Sequence, residues 1–267
     1  MSVIEIRDLT VAYPQARTTN RLVALWRVNL SVQSGEFLTV VGPSGCGKTT
    51  LLNAVAGLLA PTEGEVTVDG RRVSGPGPER AVVFQEYALL PWRTVWDNIR
   101  FGLEMQPRLR TTAQERIREA IDLVGLSGFE RAYPRELSGG MRQRVGLARA
   151  LVAEPKILLM DEPFAAVDAM TREVMQGELE RIVAATGKTV IFITHSIDEA
   201  IILGDRVVVA TTRPGRVKEI VPVELTRPRG SYDVKADRGF ITLREHVWEL
   251  LRDEAIIHAR GEEVAAG

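Results

Sequence analysis

Phe37-Leu38-Thr39-Val40-Val41-Gly42-Pro43-Ser44-Gly45-Cys46-Gly47-Lys48-Thr49-Thr50 is the stretch on which the fold turns. Phe37 to Val41 is a short apolar run that stops at Gly42 and reads as a buried strand. Gly42 to Thr50 then matches G-x-x-x-x-G-K-[ST], with a helix expected to begin near Lys48. Each residue type has a physical reason. Gly42, Gly45 and Gly47 let backbone N–H groups turn inward around a β-phosphate, while Pro43, Ser44 and Cys46 fill the turn. Lys48 brings a cation to the β and γ phosphates, the Thr49 hydroxyl can ligate Mg²⁺, and Thr50 continues into the helix. The N-terminus of that helix adds a favourable field for an anion. The motif implies a nucleoside triphosphate and no more, since a kinase or a GTPase carries it too.

Working outward, other segments supply a sheet. Val3 to Val11 alternates apolar and polar residues, as a half-buried strand does, and Glu65 to Val68 alternates again before Asp69-Gly70, a hairpin signal. Ala81 to Phe84, Ile157 to Met160, Val190 to Ile193 and Arg206 to Ala210 are apolar runs of strand length, with helical stretches between several of them. This alternation predicts an α/β fold built on a largely parallel, mixed sheet, with an antiparallel β part at the N-terminus. From about 86 to 137 no buried-strand run occurs, which predicts an inserted helical subdomain. Within it Thr112 and Glu115 have capping-box spacing, Ile117, Ala120, Ile121 and Val124 fall at helical intervals, and Gly125 ends the pattern. The expected division is a nucleotide-binding domain over 1–225 and a C-terminal part over 226–267. The latter comprises a polar linker, Thr226 to Asp237, and a helix from about Gly239 to Ile257.

Composition narrows the function. A formal net charge of −1 gives no global field to attract nucleic acid, so none is expected as a partner. The single cysteine excludes an intrachain disulfide and suits a reducing compartment. Met1 to Glu5 shows no basic region followed by an apolar stretch, and no apolar run approaches the ~20 residues of a membrane span. Any membrane role is expected to run through a partner.

Two further clusters carry chemistry. Ile157-Leu158-Leu159-Met160-Asp161-Glu162 is an apolar strand ending in two acids at the carboxyl edge of the sheet, where ligands bind in open α/β folds. Asp161 there suits Mg²⁺, and Glu162 suits the general base that polarises an attacking water. Leu137-Ser138-Gly139-Gly140-Met141 precedes a helical pattern, so Ser138, Gly139 and Gly140 read, by themselves, first as a capped helix start and otherwise as a hydroxyl and open N–H groups that suit a γ-phosphate.

With these motifs in order, the chain resembles ABC transporter nucleotide-binding subunits over nearly its whole length. The resemblance implies ATP and Mg²⁺ as cofactors, ATP hydrolysis, and a second copy of the chain, the signature segment at Ser138 of one copy closing over ATP on the phosphate loop of the other. It also implies transmembrane permease subunits, indirectly a solute-binding protein, and a peripheral place on the cytoplasmic face of the inner membrane. Carried over by position, Tyr13 is the aromatic that stacks on adenine and Gln85 the glutamine that touches Mg²⁺ and the attacking water. Asp168 is the acid of the D-loop, and His195 is the switch histidine at the γ-phosphate. Two departures stand out: Met141 where glutamine is usual, and Ala165-Ala166-Val167 where leucine usually precedes the aspartate.

Gly75-Pro76-Gly77-Pro78-Glu79-Arg80, Leu89 to Asn98 and Arg213-Pro214-Gly215-Arg216 resemble the taurine, nitrate and sulfonate importer branch, with taurine-type subunits nearest. Tyr87 to Trp96, rich in aromatics, reads either as a groove for a short helix of the membrane subunit or as packing inside the helical subdomain. The rivals are a soluble ABC ATPase acting on DNA or ribosomes, a P-loop kinase, which would lack Leu137 to Gly140, and a scaffold, which fits an intact catalytic set poorly.

Overall fold

The computed structural model describes residues 2–14, 21–85, 88–104, 112–165 and 167–266. The chain divides into two compact units, Met1–Gly77 with Thr189–Gly267, and Pro78–Lys188.

In the first unit β1 (Ser2–Pro14) and β2 (Arg21–Gln33) pair antiparallel, and β4 (Glu63–Val68) and β5 (Arg71–Arg72) extend the sheet in the order β2-β1-β4-β5. The buried face of β1 runs Ile4, Ile6, then Leu9 and Val11, so the alternation changes phase once. A bulge between Ile6 and Leu9, with Asp8 at φ 47°, makes that change and re-aims the second half of the strand at the core. Asp8 N–H and the Asn29 side-chain amide close the bulge with reciprocal bonds of 2.9 and 3.1 Å. Asp69-Gly70 forms the expected turn between β4 and β5.

The second sheet of this unit runs β10-β9-β3-β8, from β3 (Phe37–Val41), β8 (Thr189–Ile193), β9 (Arg206–Ala210) and β10 (Val217–Pro222). β3 lies parallel to both β8 and β9, and β10 turns back antiparallel on β9. Every residue of β3 and β8 is buried, as strands covered on both faces require. Helix α1 (Lys48–Ala56) follows β3, and α6 (Ile197–Leu203) is the crossover from β8 to β9. Thr39 Oγ1, fully buried, donates toward the Ala200 carbonyl at 3.1 Å and so ties α6 to β3.

In the second unit β6 (Arg80–Val83) pairs parallel with β7 (Ile157–Asp161), Val83 opposite Met160. Around this pair lie α2 (Val95–Glu104), α3 (Ala113–Leu123), α4 (Gly139–Leu151) and α5 (Ala169–Thr186). Helices α2 and α3 and the 3₁₀ turn Pro134–Glu136 fall inside the stretch expected to be helical, whose residues 86–87 and 105–111 lie outside the described ones. Asn98, fully buried, accepts from Leu90 N–H at 2.8 Å and donates to the carbonyls of Leu90, Arg93 and Thr94 at 3.0 to 3.1 Å. One side chain thus pins the chain from Leu90 to Thr94 before α2.

Three expectations need correction. The capping box at Thr112 does not form: its hydroxyl accepts from Arg116 Nε at 2.7 Å and makes no bond to the helix start. β2 and β10 were not anticipated. The last helix, α7, runs from Arg238 to Ala266, longer than its apolar pattern indicated. The polar segment before it is firmly anchored, because Arg229, 2% exposed, donates to the carbonyls of Ile201, Ile202, Gly204, Val223 and Leu225.

Candidate functional site

The phosphate loop leaves the carboxyl end of β3. Gly45 and Gly47 stand at φ 72° and 98°, which a side chain resists, and Gly47 is the residue from which α1 starts. A Cβ on Gly47 would also come within 2.9 Å of the Ala24 carbonyl, so only glycine fits there. Lys48 is 9% exposed, and its Nζ donates to the carbonyls of Gly42 at 2.8 Å and Pro43 at 3.0 Å. A buried ammonium needs such acceptors, and these hold it against the body of the loop. Ser44, Gly45 and Thr49 face solvent, while Thr50 is buried and lies 3.2 Å from the Tyr13 hydroxyl. Tyr13, 37% exposed, therefore sits beside the start of α1 with part of its ring open to solvent, a position suited to receiving a flat base.

Cys46 is 1% exposed, with Sγ 3.9 Å from Lys48 Nζ. Burial pushes its thiol above the ordinary range and outweighs the opposing pull of Lys48.

His195 follows β8. Because Thr194 N–H donates to Val40 O at 3.2 Å, the histidine and the phosphate loop emerge from the same edge of two neighbouring parallel strands. His195 is exposed, and behind it Ser196 caps α6 by accepting from Glu199 N–H at 3.3 Å. Thr194 Oγ1 donates to Glu199 Oε2 at 2.5 Å, which fixes the backbone that presents the imidazole.

In the second unit Asp161 ends β7 and Glu162 follows at φ 44°, a left-handed backbone value that residues with a side chain resist. Both are half-buried. Gln85, exposed, leaves the same end of the parallel partner β6. Ser138 caps α4, its Oγ accepting from Met141 N–H at 3.2 Å. The N–H groups of Gly139 and Gly140 precede that capped position in the first turn, where helices leave donors open. Asp168 caps α5 by accepting from Thr171 N–H at 3.0 Å, and this bond holds its carboxyl below the usual range. The sequence reading placed Asp168 only by resemblance and did not anticipate that it caps a helix.

Sequence reasoning assigned no site role to Arg213, whose Nε donates to the Gly45 carbonyl at 3.2 Å. Its signal was the Arg-Pro-Gly-Arg string, which carries no chemistry by itself. Among the described residues no cluster of three or more His, Cys, Asp or Glu could hold a metal ion alone. Thr49 in the first unit and Gln85 and Asp161 in the second each offer an oxygen donor of the kind a hard cation takes.

Comparisons with known proteins agree with this chemistry. The ABC transporter family model matches residues 25–165. An uncharacterised ABC transporter ATP-binding protein of Methanocaldococcus jannaschii is 54% identical over 237 residues, 89% of this chain and 87% of that protein. The taurine import ATP-binding protein of Escherichia coli is 47% identical over 84% of this chain and 89% of its own length. The nitrate import ATP-binding protein of Synechococcus elongatus is 45% identical over 87% of this chain but only 36% of its own length. A solved dimeric ABC transporter cassette, in a post-hydrolysis state with ADP and Pi, is 31% identical with a TM-score of 0.73, covering 84% of this chain and 100% of that one. On this agreement of loop, strand edges and whole-length similarity, the chain belongs to the ABC transporter family of ATP-binding proteins.

Proposed function

We propose that this protein is the ATP-hydrolysing subunit of an ABC importer, working as a homodimer on separate transmembrane permease subunits at the cytoplasmic face of the inner membrane. A solute-binding protein would deliver a small anionic or zwitterionic solute, with taurine or another sulfonate first and nitrate second. The observation that carries the reading is the phosphate loop: Lys48 drawn onto Gly42 O and Pro43 O at the end of β3, with His195 leaving the same edge of β8. Membrane attachment through partners is consistent with the absence, among the described residues, of any helix long and apolar enough to cross a membrane. The names of the taurine and nitrate import relatives support the solute class.

In the proposed mechanism Lys48 and the inward N–H groups of Gly42 to Thr50 bind the triphosphate, and Tyr13 stacks on the base. Mg²⁺, when bound with the nucleotide, would be held by Thr49, Gln85 and Asp161 and would neutralise charge on the phosphates. Glu162 orients and deprotonates water; His195 and the partner subunit's Ser138, Gly139 and Gly140 meet the γ-phosphate. Asp168, at the start of α5, stands with the contacts between copies. The deciding experiment is the Glu162→Gln protein, which should bind ATP and dimerise with it but barely hydrolyse it. A strictly monomeric ATP-loaded variant at high concentration overturns the reading. Radiolabelled taurine and nitrate uptake, in cells with and without the gene, separates the two solutes.

A further inference from the structure

The loop between β9 and β10, Thr211 to Arg216, touches the phosphate loop on one side and α7 on the other. On the first side Arg213 Nε donates to Gly45 O at 3.2 Å. Gly215 packs so close that a Cβ there would stand 2.0 Å from Cys46 O. Backbone bonds lock Gly215 in place: its N–H donates to Ala24 O at 2.9 Å and its carbonyl accepts from Trp26 N–H at 3.0 Å. On the second side Glu254 of α7, 5% exposed, accepts from Thr212 N–H at 2.7 Å through one oxygen and from Lys218 Nζ at 3.0 Å through the other. Lys218 Nζ also donates to Leu250 O at 2.9 Å.

Within the phosphate loop the Gly42 and Pro43 carbonyls are held by Lys48 Nζ, whereas Gly45 C=O is held from outside by Arg213. Gly45 C=O shares its peptide plane with Cys46 N–H, which closes the loop's turn by donating to Pro43 O at 3.4 Å, so a cationic donor on Gly45 O fixes that plane and with it the turn. Gly215 stops the next peptide plane, Cys46 to Gly47, from swinging out. The carboxylate of Glu254 in turn fixes the loop that carries both groups. Neither Arg213 nor Glu254 need touch nucleotide for this to act.

We propose that Arg213 and Glu254 form a brace that sets the phosphate loop's affinity for ATP, with Arg213 the positioning residue and α7 the element through which that affinity is controlled. The proposal rests on the nucleotide reading of Gly42 to Thr50, and the experiment separates the two. Binding of a fluorescent methylanthraniloyl-ATP with Mg²⁺ is measured on the full chain for the wild type, Lys48→Ala, Arg213→Ala, Arg213→Lys, Glu254→Gln and the Arg213→Ala/Glu254→Gln double variant. Melting temperatures are recorded in parallel. Arg213→Ala is expected to weaken binding about tenfold and Arg213→Lys to restore most of it, a charge-assisted bond being worth that factor. Glu254→Gln should weaken binding roughly threefold or more, because both oxygens accept and an amide must turn its NH₂ toward a donor. The double variant should bind no more weakly than Arg213→Ala, since both act through one contact. If Lys48→Ala binds as the wild type does, the nucleotide reading fails and the brace with it. If Lys48→Ala abolishes binding while Arg213→Ala matches the wild type, or the two brace substitutions add fully, the brace alone is overturned. Arg213 is exposed, so its variants decide the matter even if Glu254→Gln does not fold.

Discussion

Lys48 Nζ stands 2.8 Å from the carbonyl oxygen of Gly42, the first residue of the loop that Lys48 closes. The ammonium thus holds the loop's two ends together as well as offering charge to a ligand. Lys48→Ala removes both functions, and ATP binding is expected to fall by about a hundredfold or more, on the scale of losing a buried charge-assisted contact. Isothermal titration with MgATP measures it; a loss under fivefold contradicts the assignment.

In the proposed mechanism Glu162 is the general base. Glu162→Gln keeps the size of the side chain at its φ of 44° and removes only the basicity, so ATP affinity should change little. Turnover should drop by roughly 10² to 10⁴, the range for loss of a general base. Phosphate release at saturating ATP reads this directly.

Cys46 has two expected behaviours. Its raised pKa leaves less thiolate at any given pH than a free cysteine has, so labelling should be slow near neutrality and should accelerate as pH climbs beyond the ordinary thiol value of about 9.0. Once labelled, the loop should lose ATP hydrolysis, because a Cβ on Gly42 would already stand 2.9 Å from Sγ and no room remains for an adduct. Bound ATP should protect. Mass spectrometry against residual activity tests both; full activity after complete labelling refutes the second.

Asp168 gives a pH signature. Its folded carboxyl titrates below the ordinary value of 3.8, so its contribution to stability is complete above that value and disappears as pH falls through the depressed one. Asp168→Ala should therefore melt lower than wild type at neutral pH, and the gap should narrow in acid below the ordinary value. A gap constant down to the acid limit removes the capping account.

Trp92, 71% exposed, projects from the segment that Asn98 pins before α2. In the same unit Trp96 and Ile121, with Asp97, Arg118, Glu130 and Arg131, line a cleft of about 730 Å³. If the segment receives a helix of the membrane subunit, Trp92→Ala should lower solute uptake while basal ATPase stays near normal. Loss of both, or of neither, counts against it.

Local pattern carried much of this molecule. Phe37 to Val41, Ile157 to Met160 and Val190 to Ile193 are strands on both sequence and structural grounds, because burial on both faces leaves an unbroken apolar run. β2 escaped notice although Val28, Leu30 and Val32 alternate cleanly, since Arg27 at φ 47° interrupts the pattern ahead of them. The Val-Lys-Glu-Ile order of β10 has no period of two and no unbroken apolar run. Thr112 and Glu115 had the right spacing, but Arg116 captured the hydroxyl first. The Glu254 contact with Thr212 joins residues far apart in sequence, and no local pattern reports such a meeting.

Arg229 has a consequence for where this polypeptide can be cut. Its guanidinium serves the carbonyls that end α6 and those of Val223 and Leu225 just past β10, from a place in the chain after each element is complete. A recombinant fragment stopped at Pro222 would keep every strand of both sheets yet leave the Ile201, Ile202 and Gly204 carbonyls at the end of α6 without their buried donor. The shortest autonomous version of this protein must reach past Arg229.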